Sequence, residues 1–395
     1  MNIRKDFPIL EKKIIYVDSA CMSLKPVQVV RKMNEYYTDY PACEGRSSHK
    51  LAVKLSEEVY LARRAVKKFI NAKLEKEIIF TRNTTEGINL VANSFALVKG
   101  DSVLITEKEH NSNLVPWLKL KEERGVKLLI LKLNDDGSFN FDNYKRMLED
   151  SSIRLVSFCH SSNVDGVAIP AKEIIKLAHD KKIKVMLDGA QSAPHKKIDV
   201  QDLGVDFFAF SGHKMMGPSG IGVLYGKAVE LETLKPFIVG GETVKNTFHD
   251  SAVYEDIPMK FEAGLQNYSG IIGLGEACRY LSEIGVEKIA EHEIMLNRLL
   301  TEKLKGVVKI IGPENPGLRG GVFNFYIDGI DMKNFSIVLD SSSGIMTRAG
   351  SHCVHSYYNA RKIPASTRIS FYAYNTEEEA VRIADEIIKL VKCMK

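Results

Sequence analysis

Ser211-Gly212-His213-Lys214-Met215-Met216-Gly217-Pro218-Ser219-Gly220 follows directly on the apolar run Asp206-Phe207-Phe208-Ala209-Phe210. The run reads as a buried strand, and the glycine-rich segment after it as a tight loop that holds the amine of Lys214 near a cavity. An amine that is partly desolvated and flanked by cations has a lowered pKa and attacks an aldehyde, which is how a Schiff-base lysine works. A solvated loop lysine is the plain alternative for any one lysine among many. The residues at the neighbouring strand ends weigh between the two.

Working back from Asp206, short β-branched runs alternate with stretches of helical periodicity from about Ile14 to Gly226. Ile78-Ile79-Phe80, Ser102 to Ile105, Val126 to Leu131, Arg154 to Phe158 and Ile183 to Leu187 read as strands. Ala52, Leu55, Val59, Ala62, Val66 and Phe69 share one helix face, and a further helix starts at Pro170. This repetition predicts an α/β fold whose large domain is a mostly parallel sheet covered on both faces, with the run at Asp206 as its seventh strand. Ligands of such sheets bind beyond the carboxyl ends of the strands.

Forward of Gly226 the rhythm changes. Lys227 to Gly264, with Pro236, Gly240, Gly241 and Pro258, reads as a long irregular connection. Helices are expected at Tyr268 to Leu281 and Val286 to Leu304, strands at Val307 to Ile311, Val322 to Ile327 and Thr367 to Phe371, and a last helix from Thr376 with Glu377, Glu378 and Glu379 in its first turn. The expected division is a large domain over 14–281 and a small α+β domain formed by 1–13 and 282–395.

The 395 residues, 45% hydrophobic and 27% charged, suffice for two domains with a sizeable core. No apolar run is long enough to span a membrane, and Met1-Asn2-Ile3-Arg4-Lys5-Asp6 lacks the apolar core of a signal peptide, so a cytoplasmic location is expected. The six cysteines are scattered without a C-x-x-C pair, which argues against a disulfide framework and a zinc ribbon. A net charge of +5, with both signs interleaved, does not point to nucleic acid.

The strand ends carry polar groups in a consistent order. Thr81-Arg82-Asn83-Thr84-Thr85-Glu86-Gly87 opens a helix whose free N–H groups and threonine hydroxyls suit a phosphate, although a plain N-cap fits equally. In Glu107 to Asn113, His110 could lie on an aromatic ligand and shuttle protons, or merely cap. His160 to Gly166 and Asp188-Gly189-Ala190-Gln191 follow the next strands. An aspartate there can keep a pyridine nitrogen protonated, against the common alternative of a turn aspartate. Phosphate site, stacking histidine, pyridinium partner and Schiff-base lysine together describe a pyridoxal phosphate site.

Here the sequence resembles the class V aminotransferases, and within them the Suf-type (type II) cysteine desulfurases and selenocysteine lyases. The resemblance runs over nearly the whole chain. It is carried by Tyr16-Val17-Asp18-Ser19-Ala20, Thr84 to Leu90, Glu109 to Trp117, Asp188 to Gln191, Ser211 to Lys214, Phe261-Glu262-Ala263-Gly264 and Arg348-Ala349-Gly350-Ser351-His352-Cys353. It implies the fold-type I architecture of pyridoxal phosphate enzymes. It also implies that Lys214 bonds the cofactor aldehyde, His110 stacks on the ring, Asp188 pairs with the ring nitrogen and Gln191 with the phenolic oxygen. Thr85, Ser211 and His213 would hold the phosphate, with Thr84 beside them. Asn163 would touch the cofactor or the substrate carboxylate, and Arg348 and Arg368 would meet the substrate, Arg368 through its carboxylate. No metal is implied, since no second cluster completes a set with His352, Cys353 and His355.

Cys353 selects the reaction. Beside Arg348 and His352, in a loop loosened by Gly350, a thiolate would be favoured by cationic neighbours and could swing over the cofactor to take the substrate's sulfur as a persulfide. A cysteine that merely packs is the alternative. The expected activity is conversion of L-cysteine to L-alanine in a homodimer that hands sulfur to an acceptor or scaffold protein for iron–sulfur cluster or thio-cofactor synthesis. Selenocysteine lyase, cysteine sulfinate desulfinase, small-amino-acid aminotransferase and a non-catalytic scaffold are the rivals. Two departures from the family pattern stand out: Leu265 replaces a threonine that usually reaches a phosphate oxygen across the dimer interface, with Gln266 or backbone N–H groups the candidate substitutes, and Ser351-His352 replaces a pair of histidines.

Overall fold

The computed structural model describes residues 3–394. Its largest sheet has seven strands in the order Ile78–Thr81, Gly222–Gly226, Phe207–Ser211, Lys184–Asp188, Ile153–Cys159, Ser102–Thr106 and Lys127–Leu131. Gly222–Gly226 runs antiparallel to both of its neighbours, and the other adjacent pairs are parallel. The loop leading to it from Phe207–Ser211 is too short for the helical crossover that a parallel return needs. Because that single strand is reversed, the carboxyl ends of the other six all emerge on one edge.

The strand Phe207–Ser211 shows why its sequence is apolar without alternation. Phe208 and Phe210 enter one core, with helices Lys50–Phe69, Ala171–Asp180 and Tyr268–Ile284 above them. Phe207 and Ala209 enter another, under helices Thr84–Ser94 and Val115–Arg124. Burial on both faces removes the polar partner of each apolar residue.

A second, antiparallel sheet orders Lys309–Ile311, Val322–Tyr326, Ser366–Ser370 and Arg348–Gly350. Helices Val286–Leu304, Met332–Ser343 and Glu377–Met394 cover it and share its core. The segment near Ile14, where the alternating pattern of the large domain begins, does not join the larger sheet. Ile15–Tyr16 pairs in parallel with Ile345–Met346, and Ile15 and Val17 pack into the core of the four-stranded sheet. The seventh strand of the large sheet is Gly222–Gly226 instead. Residues 1, 2 and 395 of the expected small domain lie outside the described residues.

The connection after Gly226 is less irregular than its composition implies. It holds the helix Ala228–Thr233 and a hairpin of Val244–Thr247 with Ala252–Tyr254. The hairpin strands are almost wholly exposed, so neither face imposes the apolar alternation by which a strand is recognised. Among the described residues, no helix is long and apolar enough to cross a membrane.

One glycine fixes the loop after Ile153–Cys159. Gly166 sits at φ +73°, and a Cβ there would come 1.8 Å from the carbonyl oxygen of Arg319. Gly166→Ala is therefore expected to lower stability by about 3 kcal/mol, from backbone strain together with overpacking, read as a shift of the denaturant midpoint.

Candidate active site

At the shared carboxyl edge lies a cavity of about 210 Å³, and every candidate residue named from the sequence lines it. Lys214 ends the one-turn helix Gly212–Lys214 that follows Ser211, and burial lowers its pKa. Asp188 opposes that shift, while Arg368 and Arg348 add to it. Asp188 closes its strand with one carboxylate oxygen accepting the Ala190 N–H at 2.9 Å, and burial raises its pKa. An acid and an amine thus face one cavity, each pushed toward its neutral form by loss of water.

His110 caps the turn Asn111–Asn113, and its Nδ1 accepts the Ser112 N–H at 3.1 Å. The ring's hydrogen is thereby placed on Nε2. Burial first, then the charges of Lys214, Arg348 and Arg368, depress its pKa to about 3, so the imidazole is neutral at working pH. A neutral ring can lie on an electron-poor aromatic without adding a third cation.

The start of helix Thr84–Ser94 forms an anion cradle. Asn83 caps it by accepting the Glu86 N–H at 3.0 Å, and the Thr84 N–H goes to Ser211 Oγ at 2.8 Å, which leaves that of Thr85. Hydroxyls crowd the same spot: Thr84 and Ser211 lie 2.6 Å apart, Thr85 and Ser112 2.8 Å. His213 beside them is held neutral, its pKa depressed to about 4 by burial, Lys214 and Lys25. Rotatable hydroxyls, a free N–H and a helix N-terminus form the donor set that a phosphate needs.

On the opposite wall, Arg348 and Arg368 are direct cross-strand partners in the small sheet, so their guanidinium groups share one face. Arg368 is buried. Its Nη1 donates to Asn163 O at 2.9 Å and its Nη2 to Asp18 Oδ1 at 3.2 Å, while Nε has no partner. Adjacent like charges at the cavity wall make a seat for a carboxylate. Asn163 donates its amide to His352 O at 2.7 Å, and Gln191 donates to Ala20 O at 2.7 Å. Both side chains line the cavity while bracing its walls.

The cysteine loop differs from expectation in two respects. His352 is not a cationic neighbour of Cys353: it is buried, its Nε2 lies 3.0 Å from Ser366 Oγ, and burial with Arg368 and Arg348 depresses its pKa to about 2. The cation that touches it is Arg348, with Nη2 donating to Cys353 Sγ at 3.5 Å. Second, the loop is tied to the segment that follows His110. Asn111 N donates to Cys353 O at 2.8 Å, and His355 Nδ1 lies 3.1 Å from Asn111 Nδ2. Its backbone is strained, with φ +50° at His352 and φ +61° at Cys353, a conformation costing about 1–3 kcal/mol per residue. The thiol is aimed by a stiff turn. Gln266 donates its amide to Ala263 O and Gly264 O of its own loop, and Leu265 beside it is 67% exposed.

The family model described as aminotransferase class-V matches residues 15–383. The chain belongs to that family. Among class-V relatives it is 39% identical to a probable cysteine desulfurase of Halalkalibacterium halodurans, over 98% of this chain and 97% of that one. It is 37% identical to a cysteine desulfurase of Haloferax volcanii, over 98% and 95%. Its fold matches the structure of a cysteine desulfurase from Thermococcus onnurineus with a TM-score of 0.95 at 36% identity, covering 99% of this chain and 98% of that one.

The class-V motifs pointed to most of the cavity, but Cys21, Asp18 and Ser112 escaped the sequence reading as site residues. Ser112 lay inside a quoted motif. Cys21 reaches the cavity, and Asp18 reaches Arg368 in its wall, through the pairing of Ile15–Tyr16 with Ile345–Met346 and the Asp18 to Ser370 bridge. The single available signal was Asp18 within the Tyr16 to Ala20 motif.

Proposed function

We propose that this class-V family member is a pyridoxal phosphate-dependent cysteine desulfurase that converts L-cysteine to L-alanine and carries the sulfur as a persulfide on Cys353. The observation that carries this reading is that the Lys214 amine, the Cys353 thiol and the Arg368 guanidinium face one cavity. The residues present fit the cofactor: Thr84, Thr85, Ser211 and His213 for its phosphate, His110 for its ring face, Asp188 for its ring nitrogen and Gln191 for its phenolic oxygen. When bound, pyridoxal phosphate supplies an aldehyde for the substrate amine and a protonated ring that takes up an electron pair from Cα.

The chain's own groups do the rest. Arg368, whose side chain lines the cavity, holds the substrate carboxylate, with Arg348 adding charge at the same wall. Lys214, whose lowered pKa leaves a larger fraction of free amine, takes the Cα proton. Cys353 as thiolate attacks the substrate sulfur, and Arg348 stabilises that thiolate. His110 Nε2 carries a hydrogen available to the departing side. The strained turn at His352 and Cys353 holds the sulfur on line.

In this reading the enzyme is a cytoplasmic homodimer, with exposed Leu265 and its surrounding loop turned toward the second subunit, and the persulfide passes to an acceptor protein for iron–sulfur cluster or thio-cofactor assembly. In the same reading the division of the chain follows the two sheets, with Ile15 and Val17 packing in the smaller unit while Phe7 and Leu10, expected there, pack in the core of the larger one.

Brief exposure of the purified holoenzyme to L-cysteine should add sulfur to the Cys353 peptide in mass spectrometry. An unmodified Cys353 after alanine has formed would overturn the reading. Arg368→Lys removes the fork, and is expected to raise the KM for L-cysteine about 10- to 100-fold with a smaller change in kcat.

A further inference from the structure

A second thiol faces the same cavity. Cys21 lines it together with Cys353, and one guanidinium joins the two: Arg348 Nη1 donates to Cys21 Sγ at 2.6 Å and Nη2 to Cys353 Sγ at 3.5 Å. The sulfurs therefore sit at the two tips of one planar fork. The turn bearing Cys21 is held at three points, by the Cys21 N–H on Asp18 O, the Ala20 N–H on Ser370 Oγ, and Gln191 Nε2 on Ala20 O. A third cavity thiol, Cys159, is different in kind: burial, then Glu109 and Asp188, push its pKa far up and keep it protonated.

We infer that Cys21 is a second sulfur carrier, which receives the sulfane sulfur from Cys353 inside the cavity. This rests on the desulfurase reading above. In the step, the Cys21 thiolate attacks the outer sulfur of the Cys353 persulfide. The Cys21 Sγ–S bond forms, the Cys353 Sγ–S bond breaks, and its electron pair stays on Cys353 Sγ as a thiolate. The transferred sulfur keeps its proton, so one thiolate and one persulfide are exchanged for another pair, with no net oxidation and no co-reactant. Arg348 donates to the attacking sulfur at one tip and to the departing sulfur at the other, so the developing charge is never without a partner. Cys353 is left free to attack again while the first sulfur stays sheltered.

The test uses holoenzyme given L-cysteine without an acceptor, then alkylated and mapped under non-reducing conditions. Expected are sulfur on the Cys353 and Cys21 peptides, none on Cys159, and a burst with a second equivalent of alanine per protomer. Cys21→Ser should lose that second equivalent while Cys353 still gains sulfur, which also shows that the variant is folded. Cys353→Ser should leave Cys21 unmodified. Sulfur confined to Cys353, with a burst that Cys21→Ser does not change, overturns the relay, as does sulfur on Cys21 in Cys353→Ser, since that would make Cys21 a direct acceptor. Absence of sulfur from both peptides in the unaltered enzyme would instead overturn the desulfurase reading.

Discussion

Lys214→Ala lowers alanine formation from L-cysteine by about 10⁴-fold, because one change removes both the amine that engages the aldehyde and the base that takes the Cα proton. Burial is what makes this lysine suitable, lowering its pKa against the pull of Asp188. Lys214→Arg should not recover the activity, since a guanidinium stays protonated and can neither condense nor accept a proton. Added small primary amines should recover part of it in Lys214→Ala, where the proton transfer can be served by a diffusing base. Steady-state alanine assays check the loss, and the amine titration separates lost chemistry from a damaged fold. Activity of Lys214→Ala within tenfold of the unaltered enzyme would refute the role.

The second large effect is at Cys353. Cys353→Ala should lower alanine formation from L-cysteine by about 10³-fold, because the sulfur then has no nucleophile to leave on. Turnover of selenocysteine should be far less affected, since a selenol departs without being captured by a thiol. The substitution removes one half-buried thiol from a pinned turn, so thermal unfolding should shift little. Equal losses on both substrates would move Cys353 from the chemistry to the upkeep of the loop. His352→Asn, by contrast, should spare the thiol's charge state, because His352 is neutral and bonded to Ser366 rather than to the sulfur.

Much of the cavity was legible because an α/β sheet turns sequence position into spatial position. Each parallel strand ends on the same edge, so the polar residues that follow Thr81, Thr106, Cys159, Asp188 and Ser211 meet whatever the loops do. That is why Thr85, His110, Asn163, Asp188 and Lys214 could be gathered in advance. Groups whose place depends on pairings across the chain could not be gathered so. Cys21 and Asp18 come to the site along a short parallel bridge from the small sheet, and Arg348 faces Arg368 through antiparallel register. No local pattern encodes either.

Protonation was the other gap. A histidine next to a cysteine reads as a potential cation, yet His352 is buried against two arginines and loses its proton, and the cation in contact with Cys353 is Arg348. Desolvation depends on how completely other elements cover a group, and its neighbours in sequence say little about that.

By itself, then, the order of residues determined the layered α/β architecture, the family and most of the polar groups at the strand ends, since periodicity and loop chemistry are local properties that survive in any tertiary context. Only the tertiary structure decided which strand was reversed, which histidines are neutral, that the cysteine turn is braced and strained, and that one guanidinium serves two thiols. The shared guanidinium and the bracing of the turn depend on contacts between residues hundreds of positions apart, and the neutral histidines on how completely other elements cover them, both of which close packing sets.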